Sequence, residues 1–199
     1  MSHEASGTIY RYGFVAVAIA AVVVFSTSYA RGQEYSAQLN GFNVTGSVPG
    51  PTAAASGAIL TKGTGTLKLH LDKYNQTATY QLTYSDVTST VTQAHIHFGE
   101  VHVAGGIMIW LCQNPTTNPG PEGTPVCPEP GGTVTGTITA SSVQAIATQN
   151  VTAGDFDALV AALEHNAAYA NVHTENFKAG ELRGQVRVVE WNGNHDHSN

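Results

Sequence analysis

Two neighbouring stretches restrict the fold more than any other part of the chain. Thr66 to Asp72 (TLKLHLD) alternates Leu67, Leu69 and Leu71 with Lys68, His70 and Asp72. Thr77 to Tyr84 alternates Ala78, Tyr80, Leu82 and Tyr84 with Thr77, Thr79, Gln81 and Thr83. Successive side chains of a strand point to opposite faces, so each stretch reads as a strand with one dry side and one wet side. The four residues between them, Lys73 to Gln76, make the pair a hairpin.

Similar segments recur between Gly- and Pro-rich turns at 34–40, 53–60, 93–98, 106–112, 133–140, 168–174 and 181–189. One interval has the helical period instead. In Asp155 to His165 (DFDALVAALEH), Phe156, Leu159, Val160 and Leu163 recur at i, i+3, i+4 and i+7, behind acids in the first turn. The expectation is an all-β antiparallel sandwich or barrel of immunoglobulin-like type, about nine strands with one short inserted helix.

The first thirty residues read differently. Phe14 to Phe25 (FVAVAIAAVVVF) is an unbroken apolar run behind Arg11, and small residues follow at Ser28-Tyr29-Ala30. That pattern is a signal peptide over 1–30 or, uncleaved, an N-terminal membrane anchor, which makes the protein secreted or cell-surface. The folded domain then spans 31–190, and 191–199 (WNGNHDHSN) reads as a flexible tail. With 8 Lys+Arg, a net charge of −6 and no basic run, the chain has nothing to neutralise a phosphate backbone, which excludes nucleic acid. A membrane is a partner only through the uncleaved N-terminal segment.

In an oxidising compartment the two cysteines, Cys112 and Cys127, are expected to pair across a Pro- and Gly-rich loop. Asn43, Asn75 and Asn150 begin N-glycosylation sequons, whereas the proline of Asn114-Pro-Thr excludes that site.

Residues 94–103 (AHIHFGEVHV) hold three of the nine histidines. By parity Ala94, Ile96 and Phe98 face the core, and His95 and His97 leave it together with Gln93. Residues i and i+2 on a strand are about 7 Å apart at Cα, close enough for two imidazoles to converge on one ion. In Ala168 to Thr174 the same test puts Ala168, Ala170 and Val172 inward and Tyr169, Asn171 and His173 outward. His173 is thus the candidate third ligand, and His102 is a fourth ligand or a pocket cap. Neutral imidazoles suit copper or zinc, while calcium and magnesium require oxygens. The other reading of the alternating pair is a strand that shows imidazoles to water.

The order LNG (39–41), SVPGP (47–51), SGAIL (56–60), TYQLTYS, AHIHFG (94–99), TGT (135–137) and AAYANVHTENFKAGELRGQVRV (167–188) closely resembles the CHRD domain, named for chordin and widespread in secreted microbial proteins. The resemblance spans about residues 34–189. It implies an immunoglobulin-like Greek-key barrel distantly similar to copper/zinc superoxide dismutase. Carried over, His95 and His97 match the two-ligand strand and His173 the later ligand, which implies copper as cofactor and dismutase-like redox activity. The bridging histidine has no clear match beyond His102. Residues 113–132 contain no histidine, which argues against a zinc site of the dismutase type. Arg183 then either guides an anion to the metal, a catalytic role, or pairs with Glu181 or Glu175 to hold the last strand. Chordin is itself a binding protein, so the competing reading is a noncatalytic extracellular module whose partner is another protein or a glycan.

Overall fold

The computed structural model describes residues 32–45 and 57–190. The signal or anchor segment, the SVPGP turn and the tail lie outside them. Nine strands are described: β1 Gln33–Asn40, β2 Thr64–Asp72, β3 Thr77–Ser85, β4 Val91–Phe98, β5 Gly106–Gln113, β6 Gly132–Ile138, β7 Ala168–Thr174, β8 Leu182–Gln185 and β9 Arg187–Val188. One α-helix, α1 (Phe156–Glu164), joins β6 to β7.

All strand pairings are antiparallel, and the sheet runs β5-β4-β7-β8-β1-β2-β3-β6, with β9 beside β1. The ladder curls into a nearly closed barrel. Across the remaining gap, the Tyr80 hydroxyl of β3 donates to the Leu111 carbonyl of β5 at 2.6 Å. The expected all-β barrel with one short helix is the fold observed.

Local chemistry accounts for the elements. Leu67, Leu69 and Leu71 of β2 and Ala78, Tyr80, Leu82 and Tyr84 of β3 are all buried in the core, as alternation requires. Their hairpin is tied by the Asp72 carboxylate, which accepts from the backbone N–H and side-chain amide of Asn75 at 3.0 and 2.7 Å. Asp155 caps α1 by accepting from Ala158 N–H, and Phe156, Leu159, Ala162 and Leu163 enter the core, with Val160 packed at its margin.

Three strand expectations need correction. Residues 57–60 form no strand, and 53–56 lie outside the described residues. The segment is held beside the short 3-10 helix Gly41–Asn43 by a bond from Ile59 N–H to the Gly41 carbonyl. Strand 133–140 stops at Ile138, because Ala140–Ser142 turn into a 3-10 helix. The span 181–189 breaks into β8 and β9 at Val186: its N–H still bonds the Ala168 carbonyl of β7, whereas Arg187 and Val188 pair with β1.

Two glycines are dictated by close approach. A Cβ on Gly184 would lie 2.2 Å from the Gln38 carbonyl oxygen of β1, and Gly180, at φ +116°, would place one 2.3 Å from Asn171 Oδ1.

Cys112 and Cys127 form the expected disulfide. It closes 15 residues, so in the chain-entropy picture replacing both cysteines by alanine is expected to cost about 3 kcal/mol. Urea unfolding of the double variant checks this. An unchanged midpoint would show that the loop is already ordered in the unfolded chain.

Among the described residues no helix is long and apolar enough to cross a membrane. The sequon residues Asn75 and Asn150 are exposed and Asn43 is half-buried.

Candidate metal centre

Strand order, which spacing could not supply, decides the histidine question. β7 pairs directly with β4, with His97 opposite Tyr169, His95 opposite Asn171 and Gln93 opposite His173. His173 is therefore diagonal to His95 on the same face. On the other side of β4, the β5 ladder shifts register between Ala94 and His95 and again between Ile96 and His97. Such bulges re-aim neighbouring side chains, and Trp110, opposite His95, sets its ring edge-to-face against that imidazole at 4.3 Å.

Parity holds: Ala94 and Ile96 lie in the core cluster, whereas the His95 and His97 rings pack against Trp110 and Tyr169, two aromatic residues outside it. Exposure is where the expectation is corrected. His95, His97 and His173 are only 0, 7 and 6% exposed. Every residue of β7 is likewise buried, Tyr169 and Asn171 included. The outer face of a central strand pair is not wet here, because Trp110, Tyr169 and the loops after β4 and β7 cover it.

One candidate ligand atom from each of the three histidines lies within 4.8 Å of the other two, and no carboxylate or thiol belongs to the group. The hydrogen bonds define which atoms are free. His97 Nδ1 donates to the Gly105 carbonyl at 3.0 Å, and His173 Nδ1 donates to the Lys178 carbonyl at 2.9 Å. A carbonyl only accepts, so both rings carry their lone pair on Nε2. His97 Nε2 has no partner, and neither has His95 Nε2. His173 Nε2 faces His95 Nδ1 at 3.3 Å. Two lone pairs cannot face each other at that distance, so either a proton on His95 or a cation stands between them.

Burial, reinforced by His173 and His97, drives His95 down to about 2. Burial also lowers His97, to about 4, against the opposing effect of its bond to Gly105 and with further lowering from His173 and Arg183. Burial lowers His173 as well, opposed by its bond to Lys178. All three imidazoles are held neutral at neutral pH, the form that ligates metals.

His102 is not brought to this group. It is exposed in the loop after β4, at φ +64°.

Arg183 is also elsewhere than expected. It is 3% exposed, and neither Glu181 nor Glu175 pairs with it. Its Nη1 donates to Thr45 Oγ1 and its Nη2 to the carbonyls of Glu100 and Val103 at 3.0 and 2.9 Å. The guanidinium carbon lies 3.5 Å from the centre of the Tyr169 ring.

Glu181 is fully buried and takes a different set of donors. Its carboxylate accepts from the hydroxyls of Thr61, Thr88 and Thr174 at 2.7, 3.0 and 2.9 Å, and from the Thr88 N–H at 3.0 Å. The physical reason is backbone direction. Glu181 sits in a bend after Gly180, before β8 begins, so the alternation that would put it beside Arg183 does not extend to it. Sequence reading missed Glu181 as an independent site. Its signal, a lone acid among threonines distant in the chain, has no local pattern.

No curated protein and no solved structure matches the chain significantly. The CHRD domain family does match, over residues 35–186, a span that contains β2 to β8 whole and β1 from Tyr35 onward, with β9 just beyond it. With its three histidines, its disulfide and its barrel inside that match, the chain belongs to the CHRD domain family.

Proposed function

We propose that this is an exported transition-metal-binding protein in which His95, His97 and His173 hold copper. The observation that carries the reading is the pair of buried imidazole nitrogens, His95 Nε2 and His97 Nε2, that have no hydrogen-bond partner. Leaving a buried polar atom unpaired costs about 1–3 kcal/mol, so a fold that keeps two of them beside a third convergent ring favours a cation there.

The donor set favours copper over the alternatives. Three neutral nitrogens disfavour calcium and magnesium, and copper heads the divalent series for imidazole sites. Bound copper supplies a Cu(II)/Cu(I) couple. The protein's part is to fix the rings: the Gly105 and Lys178 carbonyls set two tautomers, and the covering loops keep bulk water away. Three protein ligands leave room for an outside ligand, so superoxide dismutation is the activity to assay on loaded protein. The net charge of −6 gives an anionic substrate no long-range attraction. Export is supported by the disulfide and by the family, whose named member is extracellular.

The test is copper titration of the purified protein, followed by metal analysis. One equivalent is expected to bind at micromolar concentration or tighter. His95→Ala, His97→Ala and His173→Ala are each expected to lose at least about 100-fold in affinity, beyond the range of an outer-shell change. His102→Ala is expected to bind as wild type does. Absence of copper uptake at micromolar concentration overturns the reading.

A further inference from the structure

β7 lies between β4 and β8 in the sheet, so the Tyr169 ring has His97 on one side and Arg183 on the other. The His97 and Tyr169 rings are stacked at 4.7 Å with an angle of 1° between their planes. The Arg183 guanidinium covers the same tyrosine at 3.5 Å from the ring centre. The tyrosine hydroxyl in turn accepts from Gly105 N–H at 3.1 Å. Gly105 is the residue whose carbonyl takes the His97 Nδ1 proton. Two more carbonyls of the same loop, those of Glu100 and Val103, end on Arg183 Nη2.

These contacts form a closed circuit: Arg183 to the loop, the loop to His97, His97 to Tyr169, and Tyr169 back to Arg183. Its three side chains, Arg183, Tyr169 and His97, are all buried, while the loop residues Glu100 and Val103 that Arg183 holds by their carbonyls lie at the surface.

From this geometry we infer that Arg183 is a positioning residue for the candidate metal centre: it pins the 99–105 loop and the Tyr169 ring together, and thereby fixes the tautomer and aim of His97. The inference rests on the reading of His97 as a ligand, but its first readout does not. The role differs from guiding an anion, since the guanidinium is buried and both of its terminal nitrogens already donate to protein acceptors. It requires the planar fork of arginine. A lysine ammonium cannot stack on Tyr169 while bonding Thr45 and two carbonyls in divergent directions.

The test uses the full chain, metal-free, with long-range nitrogen–proton NMR correlations that report histidine tautomers. In wild type, His97 is expected as a single Nδ1–H tautomer. In Arg183→Met, His97 is expected to become a tautomer mixture while His173, held by Lys178, keeps its Nδ1–H form. Copper affinity is expected to fall about 10–100-fold, as for loss of an outer-shell partner, and Arg183→Lys is expected not to restore it. Leu67→Ala, a core change on β2, is the control for simple loss of stability and is expected to leave tautomer and affinity unchanged. An Arg183→Met protein with a single Nδ1–H tautomer at His97, or with wild-type copper affinity, overturns the inference. A wild type that takes up no copper defeats the metal reading alone, and the tautomer comparison still decides the role of Arg183.

Discussion

Glu181→Gln is expected to destabilise the fold by about 3–4 kcal/mol, measured as a fall in the urea midpoint without a change in slope. The carboxylate collects three hydroxyls and one N–H from three separated segments, 61, 88 and 174, and it is fully buried. Glutamine has nearly the same shape but turns an NH2 group toward donors that need an acceptor. Each buried donor left unpaired costs about 1–3 kcal/mol, and bonds to a charged acceptor are the strong ones. Thr61→Val removes a single donor and is expected to cost about 1 kcal/mol. If Glu181→Gln proved as mild as Thr61→Val, the carboxylate would not be organising the network.

The consequence reaches the metal centre through Thr174. That hydroxyl bonds Glu181, and the next residue back along β7 is His173. The loop from Thr174 to Glu181 also carries the Lys178 carbonyl that orients His173. Glu181 and Arg183 thus divide the work: one buried charge holds the loop that orients His173, the other the loop that orients His97.

Acid is the second large effect. His95 and His97 are held near 2 and 4 in the fold, and His173 is also lowered, whereas an imidazole in the unfolded chain titrates near 6.5. A lowered histidine takes up its proton first in the unfolded state. Its contribution to stability is therefore complete above pH about 6.5 and is lost as pH falls toward the folded value. At pH 5 the loss is about 2 kcal/mol for each of His95 and His97, or about 4 kcal/mol together, with His173 acting in the same direction. A domain of this size has about 5–15 kcal/mol in total, so the metal-free protein is expected to be markedly weakened at pH 5. Urea unfolding in chelator at pH 7 and pH 5 measures it, with the triple variant H95Q/H97Q/H173Q as reference. Equal pH dependence in wild type and variant would show that these imidazoles are not the cause.

The legibility of the chain followed the range of the interactions involved. Alternation in TLKLHLD and TYQLTYS announced β2 and β3, and the 3.6-residue period with an acidic cap announced α1, because these depend on neighbours along the chain. Parity also told correctly which side of β4 the histidines take. It misjudged their environment. Burial of His95 depends also on Trp110 and His173, and neither of these contacts can be read from the alternation of β4 alone. The segment at 53–60 looked like a strand because its apolar residues resemble one, yet its described part, 57–60, pairs with no strand among the described residues.

Local pattern and composition, then, determined by themselves that this chain builds antiparallel strands with one helix, that its two cysteines are a pair to be joined, and that His95 and His97 share a face. Each follows from side-chain periodicity of 2 or 3.6, or from chemistry that needs no fold. Only the tertiary structure decided that β7 lies against β4, which puts His173 beside His95 across 78 positions of sequence and leaves His102 outside. It alone separated Glu181 from Arg183 and gave each a loop to hold. The reason is the same in both cases: strand order and loop closure are set by the burial of the whole core, and no short window of sequence carries that information.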